Sequence, residues 1–309
     1  MGTVHKLLEE KGKQAALQLG SLSRQEIEAA AAYMADEDSG IGFLYSGWCQ
    51  AALPHRRLPD HEGWQIQGER VTMVVEPGMR PTSSGKPAAV GVPYGSRARL
   101  IMLYLQSEAL RTGSREVELG RSLRGWLARL GIPVGGKSVE AVREQAERIS
   151  RCRLTFQVRA GVATGLVNQS IMDSAIFLDL EDDQGQGSLF VERARLSEGF
   201  FEQLTRHPVP LEEAAIRAVN NNSMALDIYA WLAYRLHSLP SQRSISWVAL
   251  KPQFGAGFAR MDNFRTTFLE NLKLALAVYP AANLVVEEKG LVLHPSRPPV
   301  SPRVKSSLG

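Results

Sequence analysis

Cysteine and histidine are scarce in this sequence. Its 309 residues include two cysteines, Cys49 and Cys152, and six histidines that are scattered without metal-ligand spacing. A disulfide scaffold or a zinc cluster needs more ligands at closer spacing, so both are excluded, and no metal or cofactor is expected. The two widely separated cysteines also indicate a reducing compartment, and we expect a cytoplasmic protein.

Long apolar runs are lacking as well. No stretch approaches the ~20 apolar residues that a membrane-spanning helix needs. The N-terminus, MGTVHKLLEEKGKQ, is charged and has no apolar signal-peptide centre. Hydrophobic residues nevertheless make up 44% of the chain and charged residues 22%, which is typical of a globular protein with a buried core. We therefore expect no membrane contact and enough chain for two domains.

Positive charge is concentrated in two segments. Residues 86–160 hold 14 basic and 6 acidic side chains, and residues 241–309 hold 9 and 4. Residues 161–240 between them hold 5 basic and 11 acidic side chains, so the formal net charge of the whole chain is only +4. Two basic segments separated by an acidic one predict two separate contacts with a polyanion.

The order of predicted elements repeats along the chain. Residues 94–112, 122–130 and 139–152 have the spacing of amphipathic helices, with a short strand at 117–119. Two β segments, LTFQVRAG and LVNQSIMDSAIFLDLED, follow the third helix. A second series opens with the strand LFVERARL, and its helices SMALDIYAWLAYRLHSL and MDNFRTTFLENLKLALAVYP precede the hairpin NLVVEEKGLVLHP. Helices with a short strand and a closing hairpin are the order of a winged helix.

We therefore predict an α+β fold with two tandem winged-helix domains preceded by a short helical N-terminal arm. The predicted boundaries are 1–37 for the arm, 38–185 for the first winged-helix domain with extra N-terminal strands, 186–296 for the second, and 297–309 for a disordered tail. Apolar patterns place three tryptophans in the core: Trp126, Trp231 and Trp247.

The segment GIPVGGKS at 131–138 fits the phosphate-binding pattern of nucleotide hydrolases, G-x-x-x-x-G-K-[ST]. Such a loop needs a strand running into the glycines within a parallel sheet, but an amphipathic helix, RSLRGWLARLG, precedes it here. We therefore predict that Lys137, Ser138 and the backbone N–H groups at this helix start contact a DNA backbone phosphate. A plain helix–helix turn with an exposed lysine is the alternative.

Five long fragments stand out: GFLYSGWCQAALPHRRLP, VGVPYGSRARLIMLYLQSEALRT, SREVELGRSLRGWLARLGIPVGGKS, VREQAERISRCRLTF and WVALKPQFGAGFARMDNFRTTFLENLKLALAVYP. They resemble RepA-type replication initiators of bacterial plasmids. The resemblance spans about residues 38–295 and implies tandem winged helices that bind repeated sites (iterons) at a plasmid origin. It also implies opening of an AT-rich segment, recruitment of the host initiator and replicative helicase, and a monomer–homodimer equilibrium in which dimers repress their own promoter.

The resemblance further implies that the third helix of each unit enters a major groove. In the first unit the predicted exposed side chains are Arg143, Gln145, Arg148 and Arg151. In the second unit they are Asn263, Arg265, Thr266, Thr267 and Lys273, with Arg260 just ahead of the helix. Arg and Gln pair bidentately with guanine and adenine edges. For the first set the alternative is a solvated helix face carrying Arg–Glu pairs.

No catalytic residue is predicted. Tyr94 is conceivable as a DNA-nicking nucleophile, but rolling-circle nickases pair their tyrosine with a His-rich metal site, and the sequence has none. We expect a non-enzymatic initiator in which the first domain oligomerises and contacts the DNA backbone and the second reads the sequence. A winged-helix transcriptional regulator without a replication role is the alternative, and the sequence does not separate the two.

Overall fold

The computed structural model describes residues 3–38, 40–68, 71–132, 135, 137–160, 163–181 and 187–301. The helices are α1 (Thr3–Leu19), α2 (Arg24–Met34), α3 (Gly95–Thr112), α4 (Gly120–Arg129), α5 (Lys137–Arg151), α6 (Glu198–Arg206), α7 (Glu213–Ala218), α8 (Ser223–Leu236), α9 (Trp247–Phe254) and α10 (Met261–Ala277). The strands are β1 (Ile41–Tyr45), β2 (Trp64–Gln67), β3 (Val71–Glu76), β4 (Gly78–Arg80), β5 (Ala88–Gly91), β6 (Glu116–Glu118), β7 (Arg153–Ala160), β8 (Ala163–Ser170), β9 (Met172–Glu181), β10 (Gly187–Leu196), β11 (Pro208–Glu212), β12 (Arg243–Ser246), β13 (Leu284–Glu287) and β14 (Gly290–Leu293). None of the described helices is long and apolar enough to cross a membrane.

The same order of helices and strands occurs twice along the chain. In the first series, α3, β6, α4 and α5 lead to the hairpin β9–β10; in the second, α8, β12, α9 and α10 lead to the hairpin β13–β14. Each series ends in an antiparallel three-stranded sheet, with strand orders β6-β10-β9 and β12-β14-β13. In both sheets the strand between the first two helices pairs with the last strand of the hairpin. We name the two series the first unit and the second unit.

The strands after α5 differ from the prediction. The segment LTFQVRAG forms β7, which joins β2, β3 and β8 in a separate four-stranded sheet of order β2-β3-β7-β8. The hairpin that closes the first unit is instead β9–β10, so the strand LFVERARL belongs to the first unit and not to the second. The predicted boundary between residues 185 and 186 falls inside this paired hairpin, and the first unit extends to Leu196.

Aromatic side chains dominate the core of the second unit. Phe268 contacts three other rings, with centroids 5.3 to 5.9 Å apart and tilted or edge-on planes: Trp247, Phe254 and Phe264. Aromatic pairs prefer this geometry, and burial of such large rings contributes strongly to stability. The three tryptophans predicted as core residues are all buried: Trp126, Trp231 and Trp247.

A buried ion pair joins the first helices of the two units. The guanidinium of Arg99 on α3 donates to both carboxylate oxygens of Asp227 on α8, at 2.7 and 2.6 Å. It also donates to the carbonyl of Leu53 at 2.6 Å, and the Arg99 and Asp227 side chains are only 8% and 11% exposed. A bidentate pair constrains both distance and angle, so it holds α3 and α8 in one relative orientation.

The stability of this junction is expected to depend on pH through His55. Its Nδ1 lies 3.0 Å from Ser223 Oγ, and burial, followed by the charge of Arg99, lowers its pKa from 6.5 to about 4. As pH falls through this window, the unfolded chain binds a proton that the folded chain excludes, so stability falls. We expect the free energy of unfolding to drop by about 2 kcal/mol from pH 7 to pH 5, as measured by urea titration. His55→Gln should abolish this loss of stability between pH 7 and pH 5. An equal loss in the variant would show that other groups cause it.

Both ends of the described chain pack against the second unit. The Nε2 of His5 in α1 lies 2.9 Å from the carbonyl oxygen of Ala277 at the end of α10. The hydroxyl of Tyr279 donates to the carbonyl of Arg297 at 2.7 Å, so the first residue of the predicted tail is held in place. Residues 302–309 of that tail lie outside the described residues.

Candidate nucleic-acid interface

α10 presents one polar face to solvent. Its apolar side chains recur every three or four residues and are buried in the core: Phe264, Phe268 and Leu272. The predicted outward side chains lie on the other face, where Asn263, Thr266 and Lys273 are exposed and Arg265 and Thr267 are half-buried. The predicted exposure is therefore confirmed for Asn263, Thr266 and Lys273, and Arg265 and Thr267 are less exposed than predicted. Contact of the outward residues with DNA stays a prediction.

Arg260 stands at the start of α10. Its guanidinium forms an exposed bidentate pair with Asp262, with Nε 3.0 Å from Oδ1, and this hydrogen bonding lowers the pKa of the Asp262 carboxyl. Exposed ion pairs contribute little stability, so a competing anion replaces the carboxylate at low cost. The first turn of α10 also presents backbone N–H groups, two of which already contact the Asp262 carboxylate, and such groups favour a bound anion.

The hairpin turn of the second unit and Arg265 of α10 contact the same side chain, Trp247 at the start of α9. The guanidinium of Arg265 lies over the ring of Trp247, with Cζ 5.2 Å from the centroid. The same indole donates to the carbonyl of Glu288 at 3.0 Å, and the backbone N of Trp247 donates to the carbonyl of Lys289 at 3.1 Å. Trp247 therefore contacts both Arg265 and the hairpin turn that carries the exposed Lys289. The sequence did not single out Lys289, because a lysine in a turn resembles any solvated residue.

Lys273 faces the N-terminal arm. Burial raises the pKa of the Glu26 carboxyl in α2, and the nearby positive charge of Lys273 opposes that rise. A neighbouring carboxylate competes with phosphate for the same ammonium group. Among the outward residues of α10, Lys273 therefore has the weakest structural support as a DNA contact.

The loop before α5 follows a helix, as the sequence predicted. α4 ends at Arg129, and α5 begins at Lys137, whose side chain is exposed, followed by the half-buried Ser138. Within the described ranges every strand pairing is antiparallel. The strand and parallel sheet of a nucleotide-binding loop are thus missing from that part of the chain. Pro133, Val134 and Gly136 of the loop itself lie outside the described residues.

Two residues that were expected to be exposed on α5 are buried. Gln145 is 3% exposed, and its Oε1 accepts from the backbone N of Tyr94 at 2.8 Å. Arg148 is 2% exposed and donates to Asp60 at 2.8 Å and to the carbonyl of Val92 at 3.2 Å. The expected exposure of Gln145 and Arg148 is therefore wrong, because segments from earlier in the chain cover this side of the helix.

The other two predicted contacts on α5 are half-buried. The guanidinium of Arg151 pairs with Glu147 at 3.2 Å and donates to the carbonyl of Met79 at 3.2 Å. Arg143 is half-buried on the neighbouring side of the helix. In this conformation α5 offers DNA its N-terminal end, with Lys137 and Ser138, more readily than its side face. The second unit exposes more of its predicted DNA contacts than the first.

Tyr94 is turned towards α5. Its hydroxyl donates to Glu144 at 3.3 Å, and the guanidinium of Arg148 lies 5.2 Å from its ring centroid. Burial and then the charge of Glu144 raise the pKa of the phenol, which opposes its use as a nucleophile.

Burial also raises the pKa of the Cys152 thiol to about 12, so that thiol is not activated.

The segment from α3 to the start of α9 matches the model of a known family. The family model described as plasmid encoded RepA protein matches residues 92–249, just over half of the chain. The chain belongs to this RepA family. The resemblance to RepA-type plasmid replication initiators is thereby confirmed. The matched segment contains the first unit and ends before α10. The predicted DNA contacts on α10 are therefore supported by the geometry of that helix and not by the family match.

Two solved structures that are similar to this chain are structures of RctB domains. The crystal structure of SeMet derivatives of domain 2 and domain 3 of RctB aligns with a TM-score of 0.53 at 12% identity, covering 84% of this chain and 99% of that chain. A structure of RctB domains 2-3 aligns with a TM-score of 0.43 at 11% identity, covering 80% and 94%. At 12% identity the first likeness shows a shared fold alone. The comparison with curated proteins gave no match.

Proposed function

We propose that this chain is a non-enzymatic initiator of plasmid replication that binds repeated duplex sites through two winged-helix units. Membership of the RepA family supports the role in plasmid replication. The proposed mode of DNA binding rests on the polar face of α10, where Asn263 and Thr266 are exposed and Arg265 lies over Trp247. The proposal divides the chain into an arm (3–37), a first domain (38–196), a connecting segment (197–222) and a second domain (223–296).

The winged-helix assignment is supported by the shared topology of the two units. In a winged helix the third helix enters the major groove and the hairpin that follows lies beside it. Both units have three helices, a short strand after the first helix, and a closing hairpin whose last strand pairs with that short strand. α5 and α10 occupy the third-helix position, and this equivalence supports them as the DNA-facing helices.

The side chains exposed on α5 differ from those exposed on α10, and this difference supports different tasks for the two units. The second unit exposes neutral hydrogen-bonding groups, Asn263 and Thr266, which are suited to base edges. The first unit exposes Lys137 at a helix start, which is suited to a backbone phosphate and to setting register. We therefore assign sequence reading to the second unit and backbone contact to the first.

Replacement of Lys137 by alanine is expected to weaken binding equally for specific and random duplexes. A lysine on a phosphate releases about one counterion, so the slope of log Kd against log salt should fall by about one. Fluorescence anisotropy across a salt series measures both effects. Lys11→Ala, which removes an exposed lysine from α1, is the matched control. Saturable ATP binding that disappears in Lys137→Ala would instead support a nucleotide-binding loop.

The alternative function is transcriptional regulation without a role in replication. The test is a plasmid whose sole origin consists of the coding region and its adjacent repeats. We expect the wild-type chain to maintain this plasmid and Asn263→Ala to lose it, although the variant remains folded. Repression of the neighbouring promoter by a wild-type chain that cannot maintain the plasmid would favour the regulator.

The proposal also includes the partners of an initiator. A second copy of this chain, the host initiator and the replicative helicase are the expected protein partners, with autorepression by the dimer and opening of an AT-rich segment. The family membership supports these expectations in general terms. Sedimentation at increasing concentration, with and without duplex, tests the monomer–dimer part separately from DNA recognition.

A further inference from the structure

A two-stranded hairpin lies across α5 on the side away from the core. α5 packs inward through Val142, Ala146 and Ile149. At about 100° per residue, Glu144, Glu147 and Arg151 project from the opposite side. The hairpin β4–β5 and the loop at 57–60 contact the helix on this opposite side. In a winged helix this is the side that faces DNA.

Polar contacts hold these segments on the helix. The guanidinium of Arg57 lies 3.6 Å from Glu144, and that of Arg80, in β4, lies 3.7 Å from Glu147. Arg151 donates back to the carbonyl of Met79. These side chains are partly exposed, so each contact contributes little stability and is weakened by salt. These three contacts therefore fix the geometry of the interface but oppose its opening only weakly.

Arg148 lies at the centre of this interface. Its Nη2 donates to Asp60 at 2.8 Å and to Glu144 at 2.9 Å, and its Nη1 donates to the carbonyl of Val92. The Arg148 side chain is 2% exposed, whereas that of Asp60 is 40% exposed. Carboxylates bind a guanidinium in the same forked geometry as phosphate oxygens. Asp60 and Glu144 thus occupy Arg148 as a DNA phosphate would.

Two glycines fit the base of the hairpin to α5. Gly78 and Gly91 face each other in the β4–β5 ladder. A Cβ at residue 78 would overlap the carbonyl oxygen of Arg151, and one at residue 91 would overlap the guanidinium of Arg148. Gly91 also has a φ of 80°, which disfavours any residue with a side chain. The sequence of the hairpin is therefore adapted to lie directly on the helix.

We propose that hairpin β4–β5 and Asp60 form a cover that keeps α5 from DNA until a backbone phosphate replaces Asp60 and Glu144 on Arg148. This inference rests on the proposed function, because it presumes that α5 is a DNA-facing helix. The cover explains why α5 carries arginines that are occupied within the chain, while the equivalent helix α10 exposes Asn263 and Thr266. DNA binding by the first unit then includes the free-energy cost of opening the cover, and this cost lowers the apparent affinity of the first unit for DNA.

The first test removes the carboxylate that occupies Arg148. Asp60→Asn is expected to tighten binding of a random-sequence duplex by about fivefold, because a larger fraction of the protein is open. The matched control is Glu202→Gln, which deletes one carboxylate from the exposed Arg206–Glu202 pair in α6 and changes the net charge equally. Equal affinities for the two variants would overturn the cover.

A second test uses the wild-type chain and does not depend on the variant folding. Hydrogen exchange of residues 78–91 should increase when a random-sequence duplex binds. Unchanged or slower exchange in the DNA-bound protein would overturn the cover. If the wild type binds duplex and Asn263→Ala loses sequence preference while both cover tests fail, the proposed function stands without the cover. If the wild type binds no duplex, the proposed function itself fails.

Discussion

Replacement of Arg99 by alanine is expected to lower the free energy of unfolding by about 3–5 kcal/mol, the largest effect of any polar substitution proposed for this chain. The variant leaves the carboxylate of Asp227 buried without its cation, and it removes a donor from the carbonyl of Leu53. An uncompensated buried charge costs far more than the ion pair contributes. Urea unfolding of the full chain, followed by intrinsic tryptophan fluorescence, measures the loss.

Two controls separate the buried charge from a general effect of losing arginine. Arg206→Ala removes an exposed arginine from an ion pair in α6 and should cost at most about 1 kcal/mol. The double variant Arg99→Met/Asp227→Leu removes both charges and should be more stable than Arg99→Ala, since no charge is left unpaired. A loss below about 1 kcal/mol for Arg99→Ala would mean that the junction does not depend on this pair.

Replacement of Asn263 by alanine is expected to weaken binding to the specific site by about 1–3 kcal/mol, or roughly 5- to 150-fold, with no change on random duplex. Asn263 is exposed on α10, and its neutral amide suits a base edge and does not attract phosphate by charge. The specific site is obtained by selecting duplexes from a random pool with the wild-type chain. Anisotropy with the selected and scrambled duplexes then gives the specificity ratio directly.

Asn221→Ala is the matched control for this experiment, because Asn221 is an exposed asparagine in the turn before α8. It should leave both affinities unchanged. A proportional loss on selected and random duplexes in Asn263→Ala would indicate a backbone contact. No loss on either duplex would remove α10 from the DNA interface and leave the first unit as the candidate.

The two third helices show how far the sequence alone predicts this site. The inward face of α10 follows from the spacing of Phe264, Phe268 and Leu272, and Asn263 and Thr266 on its outward face are exposed as predicted. The same reasoning fails for α5, where a second layer from residues 57–94 buries Gln145 and Arg148. Periodicity reports that a face is polar, but not that a distant carboxylate such as Asp60 covers it.

The strands show the same limit. The sequence predicted β segments after α5, but alternation does not identify the partner of a strand. β7 pairs with β3, which lies far away in the sequence, and this pairing moves the closing hairpin to β9–β10. The element order of the second unit was predicted more closely, since its sheet is formed by strands near its own helices.

The ion pair between Arg99 and Asp227 fixes how the two units are placed relative to each other. Because α3 and α8 are held in one orientation, the starts of α5 and α10 lie at a fixed separation and a fixed angle. A DNA helix turns once in about 10.5 base pairs, so inserting about half a turn between two contact points moves one of them to the far side of the duplex. Under the proposed function, the protein therefore selects the helical phase of its sites in addition to their base sequence.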